Sequence, residues 1–142
     1  MRTRSAFTLV EILIVVIILG VLAAIVVPQF NTATSEARAM ATLDQLVKLR
    51  EAIGVYYVRN NSTYPGIQAG NGTWGQLVQA GGDYLKFPPK NLWVGGAAAT
   101  VVALANAPDP GFQNAHGWIF DPATGNLWAG SFDGQDQPYP QP

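Results

Sequence analysis

The chain has 142 residues, a formal net charge of -1, only 12% charged residues and no cysteine. So balanced a charge leaves no electrostatic footprint for nucleic acid and no acidic tail. Without cysteine there are no disulfides, no thiol catalysis and no Cys-ligated zinc.

Residues 1–6, Met-Arg-Thr-Arg-Ser-Ala, form a short basic leader. From Phe7 to Val27 the side chains are apolar except for Thr8, Glu11 and the neutral Gly20, and sixteen of the positions are Leu, Ile, Val or Phe. About 21 residues at about 1.5 Å per residue span about 31 Å as a helix, one bilayer core. Each large aliphatic favours insertion by roughly 0.3–0.6 kcal/mol, against roughly 3 kcal/mol opposing it for the lone acid, so the balance predicts a membrane helix. The β-branched run Ile12–Ile18 has strand propensity, but an isolated strand in lipid leaves its backbone unpaired. Arg2 and Arg4 hold the leader on the cytoplasmic side, placing the chain beyond Val27 outside. The run is longer than a signal-peptide core, and no clear A-x-A site comes just after it.

Two residues in this stretch stand out. Glu11 is an ionisable group within a membrane segment, which is functional by default; the bland alternative is a carboxylate tolerated by the first-turn dipole and headgroup water. Pro28 removes a backbone hydrogen bond and crowds the carbonyl of Ala24. It either ends the helix or kinks it, and a kink is expected because helical patterning resumes at once.

The string AFTLVEILIVVIILGVLAAIVVPQF resembles the class III leader and amino-terminal helix of type IV pilins and type II secretion pseudopilins. The resemblance implies cleavage between Ala6 and Phe7 by a membrane aspartyl prepilin peptidase, followed by N-methylation of Phe7. This chain has Ala6 where the family commonly has glycine. Glu11 is then the expected assembly residue, its carboxylate neutralising the Phe7 amine of a neighbouring subunit, and Pro28 a second assembly feature. The resemblance further implies self-association into a helical filament, contact with other pseudopilins or pilins and with an inner-membrane assembly platform, and a precursor that crosses the bacterial inner membrane once.

Beyond Pro28, Ala39, Leu43, Leu46, Val47, Ile53 and Tyr57 recur at helical spacing, while Glu36, Arg38, Asp44, Lys48 and Glu51 fall largely elsewhere. One helix is expected from about Phe7 to Arg59, stopped by residues 60–66, Asn-Asn-Ser-Thr-Tyr-Pro-Gly. Three N-x-[ST] matches, at Asn60, Asn61 and Asn71, read as loop chemistry. Residues 73–80 predict a short helix with Thr73 as N-cap and Trp74, Leu77 and Val78 on one face, ended by Gly81-Gly82. Residues 84–90 are an extended connection carrying two prolines, 100–104 a short strand and 106–114 a loop. Residues 117–120 and 126–129 flank Asp121-Pro122-Ala123-Thr124-Gly125 as a hairpin.

The expected architecture is α+β: a long amino-terminal helix whose second half packs on a small antiparallel sheet, in a pilin-like fold. The domain reading is leader 1–6, transmembrane and assembly helix 7–30, and outer globular domain 31–142. Trp118, Phe120 and Trp128 are expected to pack in the core or on the sheet, with stacking platforms for sugar rings as the alternative. His116 is the only histidine and no catalytic motif occurs, so no enzyme is expected. Asp133 and Asp136 flank a glycine. They are weak candidates for calcium, which the resemblance to major pseudopilins implies, though EF-hand spacing is missing. The leading functional expectation is a secretion pseudopilin subunit. The alternatives are a type IV pilin for motility, adhesion or DNA uptake, a membrane-anchored glycan-binding module and, most remotely, an anchored hydrolase.

Overall fold

The computed structural model describes residues 7–79 and 82–142. The chain divides into two compact units, Met1–Glu36 and Ala37–Pro142. Helix α1, Leu9–Arg59, contributes to both. Pro28 lies inside it, so the proline does not end the helix.

In the second unit α1 buries Ala39, Thr42, Leu46, Leu49 and Ile53, a continuous stripe at three- and four-residue spacing, with Ala52 beside it. Leu49 fills the gap between Leu46 and Ile53 that the expected pattern skipped. Val47, expected on that stripe, is exposed instead, because it lies one residue past Leu46 and so about 100° around the helix. The helix stops where asparagine was expected to stop it. Asn60 Nδ2 donates to the Tyr56 carbonyl at 2.8 Å, and Asn61 and Ser62 take left-handed backbone angles, φ 50° and 56°.

The sheet has four short strands in chain order: β1 Gly70–Asn71, β2 Val101–Leu104, β3 Trp118–Phe120 and β4 Leu127–Ala129. The expected hairpin is present, with β3 and β4 antiparallel in the register Trp118↔Ala129, Ile119↔Trp128 and Phe120↔Leu127. The α+β expectation holds, with one correction: the sheet is mixed. β2 and β3 are parallel, Val102 opposite Trp118 and Leu104 opposite Phe120, because residues 105–117 carry the chain back to the start of the next strand instead of turning directly. β1, antiparallel to β2, was not expected from two residues.

Two connections also differ from expectation. Within the short helix expected over residues 73–80, residues 75–77 make a 3-10 turn, and the expected end of that helix, Ala80-Gly81, lies outside the described residues. Thr73 does not cap it; its hydroxyl bonds the Gln68 carbonyl instead. A second 3-10 turn, Gly96–Thr100, leads into β2.

The core joins the helix stripe to Ile67, Trp74, Leu77, Trp93, Val102, Trp118, Phe120, Leu127 and Phe132. Trp74 meets Trp118 edge-on with centroids 6.1 Å apart, and Trp93 meets Phe132 at 6.3 Å. A polar node is built into this core. Asn91, fully buried, donates from Nδ2 to the carbonyls of Gly117 (2.8 Å) and Gly130 (3.0 Å), and its Oδ1 accepts the amides of Trp93 (2.9 Å) and Val94 (3.0 Å). Thr42 extends it into the helix, its hydroxyl accepting the amides of Leu92 and Trp93 at 3.0 and 3.1 Å and donating to the Arg38 carbonyl at 2.9 Å.

The hairpin loop is closed by Asp121. Its Oδ2 accepts the Thr124 hydroxyl at 2.6 Å and its Oδ1 the Ala123 amide at 2.9 Å. These bonds, the Thr124 hydroxyl first, hold its pKa below the ordinary 3.8. Gly125 completes the turn with φ 74°, and a side chain there would run into the Tyr64 ring.

Candidate functional site

The first unit carries the residues singled out for assembly. Ala6 lies outside the described residues; Phe7 is described and is 80% exposed. Thr8 stands just before α1 and forms a reciprocal cap with Glu11. The Thr8 amide and hydroxyl each donate to Glu11 Oε2 at 2.9 Å, and the Glu11 amide donates to the Thr8 hydroxyl at 3.3 Å. This is a capping box, in which two otherwise unpaired amides at the helix start are satisfied by side chains three residues apart. Thr8 is therefore a site residue that the sequence reading passed over. Its signal was the Thr-x-x-Glu spacing directly before an apolar run.

Beyond that cap the surface is hydrocarbon. Leu9, Val10, Ile12 to Leu19, Val21, Leu22 and Ile25 to Val27 are all exposed in the single chain. A helix apolar on every side needs lipid or other helices around it. By length and composition α1 is able to cross a membrane. Glu11 is the only charged side chain between Phe7 and Val27, so any apolar surroundings of this stretch receive that one carboxylate at a fixed depth.

Pro28 follows at the far end of the run. Two turns beyond it are braced by their own side chains, the Thr32 hydroxyl donating to the Pro28 carbonyl at 3.3 Å and that of Thr34 to the Phe30 carbonyl at 2.7 Å.

The remaining candidates fall in the second unit. His116 Nε2 lies 3.1 Å from Asp109 Oδ1, while Asp109 Oδ2 accepts from Gln113 Nε2 and the Ser131 amide, both at 2.8 Å. The Ser131 hydroxyl is bonded to the Gln113 backbone and not to the imidazole. The cluster ties two loops together and presents no nucleophile aligned with a base. Trp118 and Phe120 are fully buried, in keeping with a core role, and Trp128 is half-buried opposite Ile119.

Asp133 and Asp136 are also engaged within the fold. Asp133 Oδ1 accepts the amides of Gln135 (2.9 Å) and Gln137 (2.8 Å), and Asp136 pairs with Arg50. Among the described residues no group of three or more His, Cys, Asp or Glu gathers to hold a metal ion.

The family model described as the prokaryotic N-terminal methylation motif matches residues 1–27. The amino terminus is a prepilin leader motif. The match ends one residue before Pro28, so it covers the capping box and the whole apolar run. Similarity to proteins of known role extends past this prepilin motif. A type II secretion system core protein G of Pseudomonas aeruginosa is 39% identical over 69 residues, 49% of this chain and 48% of that protein. The core protein G of Vibrio cholerae is 38% identical over 65 residues, 46% of this chain and 44% of its own length. A fimbrial protein of P. aeruginosa is 36% identical over 52 residues, 37% of this chain and 34% of that protein. The chain thus aligns with about half the length of the core protein G relatives it matches. No solved structure matches.

Proposed function

We propose that this chain is a structural subunit of a pilus-like filament, a pseudopilin of a type II secretion system, and not an enzyme. The observation that carries the reading is the apolar surface of residues 9–27, exposed on every side and interrupted by one carboxylate. Such a surface is stable in two solvents only, lipid and other copies of itself. The similarity to core protein G of several secretion systems favours the second as the working state.

In this reading the precursor is held in the inner membrane with residues beyond Val27 outside the cytoplasm. The prepilin peptidase cuts between Ala6 and Phe7 and the new amine is methylated. An assembly platform then transfers the helix from lipid into a bundle of neighbouring helices. Head-to-tail contact of one surface with a different one makes an open polymer, as a filament requires. The Phe7 ammonium and Glu11 carboxylate supply the register: a helix entering the bundle brings one positive and one negative group into apolar surroundings, where each is costly alone and tolerable as a pair. Glu11 therefore has two partners in turn, Thr8 of its own chain in the separate subunit and the neighbour's amine in the filament. Pro28 loosens the end of the apolar run, where the helix leaves the membrane.

The fimbrial relative supports a second reading, a type IV pilin working at the cell surface. Deleting the gene in its host separates the two. Loss of an exported enzyme from the medium, with surface motility intact, is the expected result. Normal secretion with lost motility or adhesion favours the pilin, and neither defect contradicts both.

A further inference from the structure

Among the described residues, one side chain of α1 is hydrogen-bonded to the carboxy-terminal tail. Arg50 leaves the helix and spreads its guanidinium over two partners: Nε and one terminal nitrogen donate to the Leu127 carbonyl of β4 at 3.0 and 2.9 Å, and the two terminal nitrogens take both oxygens of Asp136 at 2.6 and 2.9 Å. This is the fork geometry that only arginine offers. Asp136 takes φ 60°, a left-handed backbone that aspartate adopts more readily than most residues.

The resemblance to major pseudopilins implies calcium in this loop, and the residues present do not suit it. Calcium takes six to eight oxygens. Asp136 has both of its oxygens committed to a permanent cation, and Asp133 turns Oδ1 to two backbone amides. A dication at Asp136 would have to displace the guanidinium and then stand beside it.

We infer that Arg50 closes the carboxy-terminal tail in the place of a bound cation, so that the order of residues 131–142 is independent of calcium and dependent on the Arg50–Asp136 fork. The tail's other ties are hydrogen bonds that need no ion, among them those from the Tyr139 amide to the Ser131 carbonyl (2.9 Å), from Trp93 Nε1 to the Tyr139 carbonyl (3.1 Å), from the Tyr139 hydroxyl to the Asp109 carbonyl (3.1 Å) and from the Ser131 amide to Asp109 (2.8 Å). Because the fork is half-exposed, the closure weakens as salt screens it.

The inference concerns the subunit alone and holds whether or not the chain polymerises. Its test is thermal melting and limited chymotrypsin digestion of the full chain in detergent, in EDTA or in about 5 mM calcium, above the weakest ordinary calcium sites. The two melting temperatures are expected to agree within about 1 °C, and cleavage after Phe132, buried in the folded chain, to proceed at one rate in both. Arg50→Gln and Asp136→Asn are each expected to speed that cleavage about tenfold in either buffer, with Arg50→Lys in between. Asp136→Asn leaves the Leu127 contact untouched and serves if Arg50→Gln does not fold. A rise of about 4 °C or more with calcium, or calcium-dependent protection of the tail, overturns the inference. So does cleavage of Asp136→Asn at the wild-type rate.

Discussion

Glu11→Ala is expected to leave a subunit that is made and anchored in the membrane but does not enter filaments. In the bundle the variant's neighbour would bury the Phe7 ammonium with nothing to neutralise it, a cost of about 3–5 kcal/mol for a buried charge stripped of its partner. At about 1.4 kcal/mol per factor of ten, that lowers association a hundredfold or more. The same substitution also removes the cap on Thr8, so a defect in Glu11→Ala alone does not say which role matters. Two further variants separate them. Glu11→Gln keeps an oxygen for the Thr8 amide and hydroxyl but loses the charge, and is expected to be as defective as alanine. Thr8→Ala keeps the charge and loses half of the capping box, a change worth about 1 kcal/mol in helix stability, and is expected to assemble at reduced yield. Immunoblotting of the sheared filament fraction against the membrane fraction reads all three. Normal filaments from Glu11→Gln would show that the charge is not what brings subunits into register.

The second large effect lies in the folded domain. Asn91→Leu is expected to unfold it, or to lower its stability by about 3–5 kcal/mol. That side chain makes four bonds to the backbone, Nδ2 donating to the carbonyls of Gly117 and Gly130 and Oδ1 accepting the amides of Trp93 and Val94. Leucine keeps the branched outline but is bulkier than the hydrogen-bonded amide, so strain from overpacking adds to the loss. The larger loss is that the Gly130 carbonyl and the Val94 amide are stranded, each at about 1–3 kcal/mol when its partner is removed and water cannot replace it, whereas the Gly117 carbonyl keeps the Gly130 amide and the Trp93 amide keeps the Thr42 hydroxyl. A domain of this size has about 5–15 kcal/mol in total. Urea unfolding followed by tryptophan fluorescence measures the change, with Trp74, Trp93 and Trp118 all buried in the core as reporters. A midpoint unchanged within error would mean that Asn91 does not hold the loops to the sheet.

These two residues also mark what the amino-acid sequence disclosed and what it did not. Glu11 stands out in the sequence because it is the lone acid among the 21 residues from Phe7 to Val27. Helix α1 was legible through its full length, and its stop at Asn60–Ser62 followed from the left-handed tolerance of asparagine. The β3–β4 hairpin announced itself by two aromatic-rich runs around a Pro and Gly loop. Asn91 sits after Pro88-Pro89-Lys90, where nothing in the local pattern separates a core asparagine from one in a solvated turn. Thr42 was missed for a related reason: a hydroxyl on a helix stripe reads as a break in it until the amides of Leu92 and Trp93 are seen to arrive there. The parallel pairing of β2 with β3 could not be read from strands of three or four residues, whose register is set by the core they cover and not by their own propensity. Thr8 was within reach, since its spacing to Glu11 is a capping box, but the apolar run that follows drew the reading toward lipid.

The most direct measurement is the mass of the native amino-terminal peptide, isolated from the host with its own processing enzymes. The account predicts a chain that starts at Phe7 and carries one methyl group on its amine, with residues 1–6 gone. A chain retaining Met1, or one cut beyond Val27 so that the apolar helix is lost, would contradict it.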